Sequence, residues 1–374
     1  MLKHLHVISF TIPYPTNEGA LVDLFNRLIA WKQLGIQVHL HCYRYDREEQ
    51  PILKNYCTEV YYYERNNGHK GLSNTLPFIV GSRRNDVLMT RLLEDEYPIW
   101  MEGIHCTYLL TDARFSQRKC FVRKQQLNFQ YYEDLYKKSS APFKKLFYWM
   151  ENRLLKRYEK KIRDSAIFLL ATQKDLQCYL QDIGPSKADF LPLFIPYKLV
   201  SSLEGMGSFC LYHGDLGNPS NEEAACWLLE KVFNRVKVPF ILAGKNPSRK
   251  LVELAEKKNN TCLVANPSDT ELQDMIAKAH ILLVPSFTRS GLKLSLINSL
   301  YNGRHCIAND YAVAGTGLEA ACHIGTNANA FCEIVAQLYH QPFTTEEIDL
   351  RKRLLKGMFE NEENARKTVD WIWG

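Results

Sequence analysis

At 374 residues the chain exceeds what one ordinary core organises and fits two domains of roughly 150 to 200 residues each. Hydrophobic residues make up 46% and charged residues 24%, which excludes a disordered chain, and no run of 18 or more apolar residues offers a bilayer span. The net charge of +6 is modest, and with no recognised binding module beside it a nucleic-acid partner is not expected.

The opening MLKHLHVISF moves directly into a strand without the pattern of a signal peptide. The 11 cysteines form no CxxC pair and no His/Cys run with ligand spacing. Both observations predict reduced, mostly buried thiols in a cytoplasmic protein, with no metal site.

In chain order the elements alternate strand, turn, helix and strand, the signature of a parallel sheet wrapped by helices. His4 to Phe10 predicts a strand, Thr11 to Gly19 a loop and Ala20 to Leu34 a helix with Leu21, Leu24, Phe25, Leu28 and Trp31 on one face. Gly35 ends that helix before a strand over Ile36 to Cys42. Such sheets take ligands beyond the carboxyl ends of their strands, so Asn17, Glu18 and Gly19 are expected at a cleft. A second strand ends at Glu102, Gly103 and His105, where an ionisable pair suits acid–base chemistry or the binding of sugar hydroxyls. A plain turn at Gly19 and a surface histidine in a connector are the plainer alternatives.

Cys120 to Leu135 reads as a strand, a polar turn and a helix beginning near Asn128. Between Lys137 and Arg163, ten basic residues face only Glu151 and Glu159, a local balance of 10 − 2 = +8. Phe143, Leu146, Phe147, Tyr148, Trp149, Leu154 and Leu155 interleave with them. This is either a helix whose apolar stripe packs on its own domain or an interfacial helix that meets anionic headgroups, a peripheral membrane contact through 137–163. Prolines and glycines then break the pattern, which predicts a linker over 196–208 between domains at 1–195 and 209–355, with a closing segment at 356–374.

Phe209 to His213 restarts the theme as a strand, followed by the turn GDLGNPSN and a helix opened by Asn221 and Glu222. The amides of such a turn, together with a helix N-terminus, suit a diphosphate, though a plain connector has the same pattern. Pro239 to Ser248 adds a strand and a turn with Lys245 and Asn246. Ile281 to Val284 leads into SGLKLSLINSLYNGRHCIAND, where Asn298 stands one turn into a helix that Gly303 ends.

These motifs resemble the donor-binding domain of retaining GT-B glycosyltransferases, the bacterial glycosyl transferases group 1 or family 4-like group. Gly214, Leu216, Asn221, Glu222 and Ala224 match its first signature. Gly291, Lys293, Gly303 and the run Ala314 to Glu319 fit its second. Ser295 replaces a base there and Asn298 replaces a glutamate that typically holds the ribose hydroxyls. In the first half, Arg123 is followed by Gln125, Gln126 and Asn128 where relatives tend to carry a histidine-asparagine-x-glutamate run.

The resemblance implies an α/β GT-B fold of two Rossmann-like domains facing a central cleft, with a C-terminal helix crossing back to the first domain. It implies a metal-independent enzyme, needing no cofactor, that moves a hexose from a UDP- or GDP-linked nucleotide-sugar to a glycan or lipid-linked glycan acceptor, retaining configuration, in cell-surface polysaccharide or glycoconjugate synthesis. Lys293 would compensate the leaving diphosphate, and His105 would position the sugar or shuttle a proton. Gly214, Asp215, Leu216, Lys245, Asn246, Ser290, Gly291, Leu292 and Asn298 would line the donor. Asn17, Glu18, Gly19, Glu102 and Arg123 would face the acceptor. The neutral amides and Ser295 leave open a catalytically degenerate GT-B subunit that binds a glycan or a partner transferase, and a sugar-nucleotide epimerase on the same fold is a minor third reading.

Overall fold

The computed structural model describes residues 2–16, 19–45, 47–66, 73–288 and 290–374. It divides into one unit of Met1–Pro196 with Phe359–Gly374 and a second of Tyr197–Met358.

In the first unit the chain runs β1 His4–Ser9, α1 Gly19–Gln33, β2 Gln37–Arg44, β3 Glu59–Glu64, α2 Phe78–Gly81, α3 Asp86–Leu92, β4 Ile99–Glu102 and β5 Cys120–Lys124. It continues through α4 Asn128–Lys138, α5 Pro142–Ile162, β6 Ile167–Leu170, α6 Gln173–Ile183 and β7 Ala188–Phe190. The seven strands are parallel in the order β3-β2-β1-β4-β5-β6-β7, so the strand order reverses between β1 and β4. Short runs such as IWME over Ile99–Glu102 are buried throughout, because helices cover both faces of a parallel sheet.

The second unit runs β8 Cys210–Asp215, α7 Pro219–Trp227, β9 Phe240–Lys245, α8 Arg249–Glu256, β10 Thr261–Ala265, α9 Asp269–Lys278 and β11 Ile281–Val284. It ends with α10 Leu294–Asn302, β12 His305–Ala308, α11 Asp310–Val313, β13 His323–Ile324, α12 Ala328–Leu338 and α13 Thr345–Leu355. Its six parallel strands take the order β10-β9-β8-β11-β12-β13 and reverse between β8 and β11. Ligands of open α/β sheets gather at the carboxyl ends beside such a reversal.

The last helix, α14 Asn361–Trp373, belongs to the first unit. Thr368 accepts a hydrogen bond from the Trp31 indole at 2.7 Å, and Ala365 and Ile372 enter the core that holds Leu24, Leu28 and Trp100. The sequence reading differs here in detail. The helix expected to open at Asn221 begins at Pro219, capped by Asn218, whose side chain accepts from the Ser220 amide. All 11 cysteines are free thiols.

Candidate functional site

In the second unit, the carboxyl ends of β9 and β8 lie in register, with Asp215 beside Lys245. The chain after β8 folds back over β9: the amides of Leu216 and Gly217 donate to the Lys245 carbonyl at 2.8 and 3.2 Å. Asp215 closes the turn by accepting from the Gly217 amide at 3.1 Å, and the Asn221 amide group donates to the Asp215 carbonyl at 2.9 Å. Asn221 therefore works in the first turn of α7, where it ties the glycine turn shut. Leu216 is buried beneath the turn, while Gly214 and Asp215 keep partial access.

Gly244 is what permits this fit. A β-carbon there would stand 2.0 Å from the Gly214 carbonyl oxygen and 2.8 Å from Leu216 Cγ. Asn246, exposed with φ 52°, continues the turn and donates its amide to Asn266.

Across the reversal, the segment after β11 is pinned by Asn309 at the end of β12. Its side chain accepts from the Ser286 amide at 3.0 Å and donates to the Ser286 carbonyl at 2.8 Å. Ser290 is buried, Gly291 takes φ +88°, and Leu292 and Lys293 are half-buried. Lys293 forms the N-cap of α10 and donates from Nζ to Thr288 Oγ1 at 2.5 Å. The cation thus stands at the amino end of a helix whose first amides and dipole also favour an anion. Asn298 is buried in the same helix, its carbonyl accepting from Asn302 at 2.7 Å, which leaves its own amide protons as the donors it can offer.

The sequence reading missed His213, one residue before the glycine turn. It is buried, its Nε2 has no hydrogen-bond partner, and burial pushes its pKa down to about 4, so the ring is neutral. The only signal available was a histidine inside an apolar strand.

The first unit corrects two expectations. Arg123 is fully buried: its Nε donates to Asp23 at 3.0 Å, and its terminal nitrogens donate to the carbonyls of Leu191 at 2.6 Å and Pro192 at 3.2 Å. Glu102 is equally buried, accepting from Arg27 and from the Trp100 indole. Neither side chain reaches solvent, so neither orients an acceptor directly. Asp23 is the hub, also accepting from Arg27 at 3.0 Å, from Gln125 and from the Phe194 amide at 2.7 Å. Burial alone would raise the Asp23 carboxyl; the guanidiniums of Arg123 and Arg27 outweigh it and hold the group below the ordinary carboxylate range. Asp23 and Arg27 stand four apart on the apolar face of α1, a polar pair inside a hydrophobic stripe.

His105 sits on the 3-10 turn after β4, half-buried, its ring 5.1 Å from that of Phe10. Its Nδ1 is buried without a partner, and burial, with Arg83, Arg65 and Lys124 adding to it, holds the imidazole well below its usual pKa. A neutral ring accepts a proton at one nitrogen and donates at the other, which suits it to hydroxyl recognition. Gly19, the first residue of α1, is exposed, and Asn17 and Glu18 lie outside the described residues.

Residues 208–341 match the family model for glycosyl transferases group 1, the part of the chain that carries both turns. The chain is 25% identical over 335 residues, 83% of its own length and 84% of the relative's, to an uncharacterized 44.6 kDa protein in the cps region of Klebsiella pneumoniae. Among solved structures it resembles a TarM mutant from S. aureus in complex with fondaparinux, alpha-GlcNAc-glycerol and UDP, with TM-score 0.70 and 11% identity over 100% of both chains. It also resembles HepE from Anabaena in complex with UDP and glucose, with TM-score 0.66 and 11% identity over 98% of both chains. WaaG, a glycosyltransferase involved in lipopolysaccharide biosynthesis, has TM-score 0.65 and 11% identity, covering 99% of this chain and 100% of its own. The fold is therefore α/β of the GT-B type, as the resemblance implied.

Proposed function

We propose that the chain is a glycosyltransferase that binds a nucleoside-diphosphate sugar on its second unit and transfers a hexose to a glycan or lipid-linked glycan acceptor. The observation that carries this reading is Lys293 at the N-terminus of α10, on the sheet edge that also holds the closed turn at Gly214 to Gly217. A diphosphate leaving group gathers negative charge as the glycosidic bond breaks, and a cation beside preorganised amides stabilises it without a metal. The match of residues 208–341 to glycosyl transferases group 1 supports the reaction class. The UDP held by two structural neighbours supports a nucleotide-linked donor. The cps region named for the Klebsiella relative fits polysaccharide synthesis.

Transfer with retention, and a neutral His105 that engages a sugar hydroxyl, follow from the same reading. Ser295 and Asn298, which are neutral, favour a second reading in which the chain is a catalytically degenerate subunit that binds a glycan or a partner transferase. Release of free nucleotide from a panel of UDP- and GDP-sugars separates the two. Turnover of one donor that falls at least tenfold in K293A supports the enzyme, whereas turnover of none supports the second reading.

The same proposal places the protein at the inner face of a membrane. The outward face of α5 exposes Phe143, Leu146, Trp149 and Met150 among Lys144, Lys145 and Arg153, while its two acidic residues, Glu151 and Glu159, point inward. Apolar anchors ringed by cations are what an anionic lipid surface binds.

A further inference from the structure

Away from the turns described above, strands β12 and β13 and helix α13 bring His305, His323 and Glu347 together, with one ligand atom of each within 4.8 Å of the others. No sequence spacing announces them, since they come from three separate elements. Their hydrogen bonds set their chemistry. His305 is buried, and its Nε2 lies 3.1 Å from the Gln341 carbonyl, which only accepts, so Nε2 carries the proton. That leaves the lone pair of Nδ1 unpartnered, with Glu347 Oε1 3.2 Å away but not aligned for a hydrogen bond. A carboxylate oxygen and an unpartnered ring nitrogen this close can share a cation that neither has as a hydrogen-bond partner.

The carboxylate is positioned too. Glu347 Oε2 accepts from the Thr344 amide at 3.0 Å in the capping box of α13, which leaves Oε1 for His305 and for His323 Nε2 at 3.8 Å. Ligands held by outer hydrogen bonds, a ring nitrogen on a backbone carbonyl and a carboxylate on an amide, are the arrangement of protein metal sites. Tetrahedral zinc with metal–ligand distances near 2.0–2.1 Å sets its ligands about 3.3 Å apart. The 3.2 and 3.8 Å separations to Glu347 Oε1 bracket that value, and the two ring nitrogens, within 4.8 Å of one another, close on it by a shift of His323.

We propose that His305, His323 and Glu347 bind a divalent transition ion, best suited to Zn²⁺, with solvent in the fourth position. Two imidazoles and a carboxylate match the ligand preference of zinc. His323 is 38% exposed and Glu347 31%, so the ion has a way in from solvent. The site's role is structural. His305 opens β12, at the amino end of the strand whose carboxyl end carries Asn309, so the ion sits on the opposite sheet edge from the diphosphate turns. There it clamps edge strand β13 and helix α13 to β12.

The test uses the full chain, freed of metal by a chelator and titrated with Zn²⁺ alone by calorimetry, with Co²⁺ absorption as a second readout. One equivalent of Zn²⁺ per chain is expected, with a rise in thermal midpoint. H323A and E347Q, which alter half-exposed side chains, should each weaken binding at least about tenfold and abolish the midpoint shift. E347Q keeps the helix cap, because glutamine also serves at that position. Co²⁺ should give d–d bands without thiolate charge transfer. No uptake, uptake that neither variant changes, or a thiolate charge-transfer band would each overturn the site and leave only an ion pair of His305 with Glu347.

Discussion

Arg123 on β5 donates to Asp23 on α1 at 3.0 Å, with both side chains fully withdrawn from solvent. The pair does what a surface acceptor site cannot: it ties the end of β5, helix α1 and the segment at Leu191 to Phe194 into one hydrogen-bonded knot. Breaking a buried pair by neutralising one partner strands the other, so D23N should lose about 3–5 kcal/mol of unfolding free energy at pH 7 in urea titrations. The Asp23 carboxyl is held below its ordinary value, so its stabilising contribution is present above the unfolded pKa near 3.9 and is lost as pH falls through the folded one. D23N should therefore show a shallower acid loss than the wild type.

His213 is also shifted down, but by burial alone, which favours its neutral form. With a folded pKa of about 4 and an unfolded value near 6.5, the unfolded chain binds the extra proton between them, so stability falls as pH drops through that window. The full linkage is on the order of 3 kcal/mol. Other histidines that burial holds below their ordinary value, among them His41 and His105, add to the acid loss, so the diagnostic is a difference. Denaturant midpoints of wild type and H213L at pH 7 and pH 4.5 should diverge, with the variant losing less stability on acidification.

Gly244 predicts a coupled loss of stability and ligand. The neighbour that a β-carbon would strike is backbone on the paired strand, which cannot move aside without opening the register of Gly214 with Gly244. G244A should cost roughly 1–3 kcal/mol as an overpacked site and should weaken nucleotide binding in the same protein. Calorimetry and urea unfolding check both; a variant with normal stability and normal binding would contradict the role given to the turn.

On α5, the exposed residues Phe143 and Trp149 predict lipid binding by insertion added to charge. Sedimentation with vesicles containing anionic lipid should capture the protein, salt should weaken the capture, and F143S/W149S should reduce it several-fold without changing the far-UV spectrum. Equal capture by neutral vesicles, or no effect of the variant, would point to a helix face with another use.

Much of this was legible in the sequence because parallel strands buried on both faces leave continuous apolar runs such as ILLV at Ile281–Val284. The turn at Gly291 was legible for the same reason that it works, since its positive φ favours glycine, whereas Gly244, where a β-carbon would strike the Gly214 carbonyl, was not singled out. The buried charges were not. Arg123 and Glu102 look like cleft residues because they end strands, and only the partners Asp23 and Arg27, 100 and 75 positions away, reveal that they are paired inside. The His305, His323 and Glu347 cluster escaped notice on the same ground, since contacts between distant elements have no spacing to read.

The central claim is that the second unit holds a nucleoside diphosphate at Lys293 and the turns beside it. Calorimetric titration of the full chain with UDP and with GDP tests it most directly. One nucleotide should bind one-to-one, and K293A should weaken it by about tenfold or more, as loss of a charged hydrogen bond demands. Binding of neither nucleotide to the wild type, or equal affinity in K293A, would contradict the account.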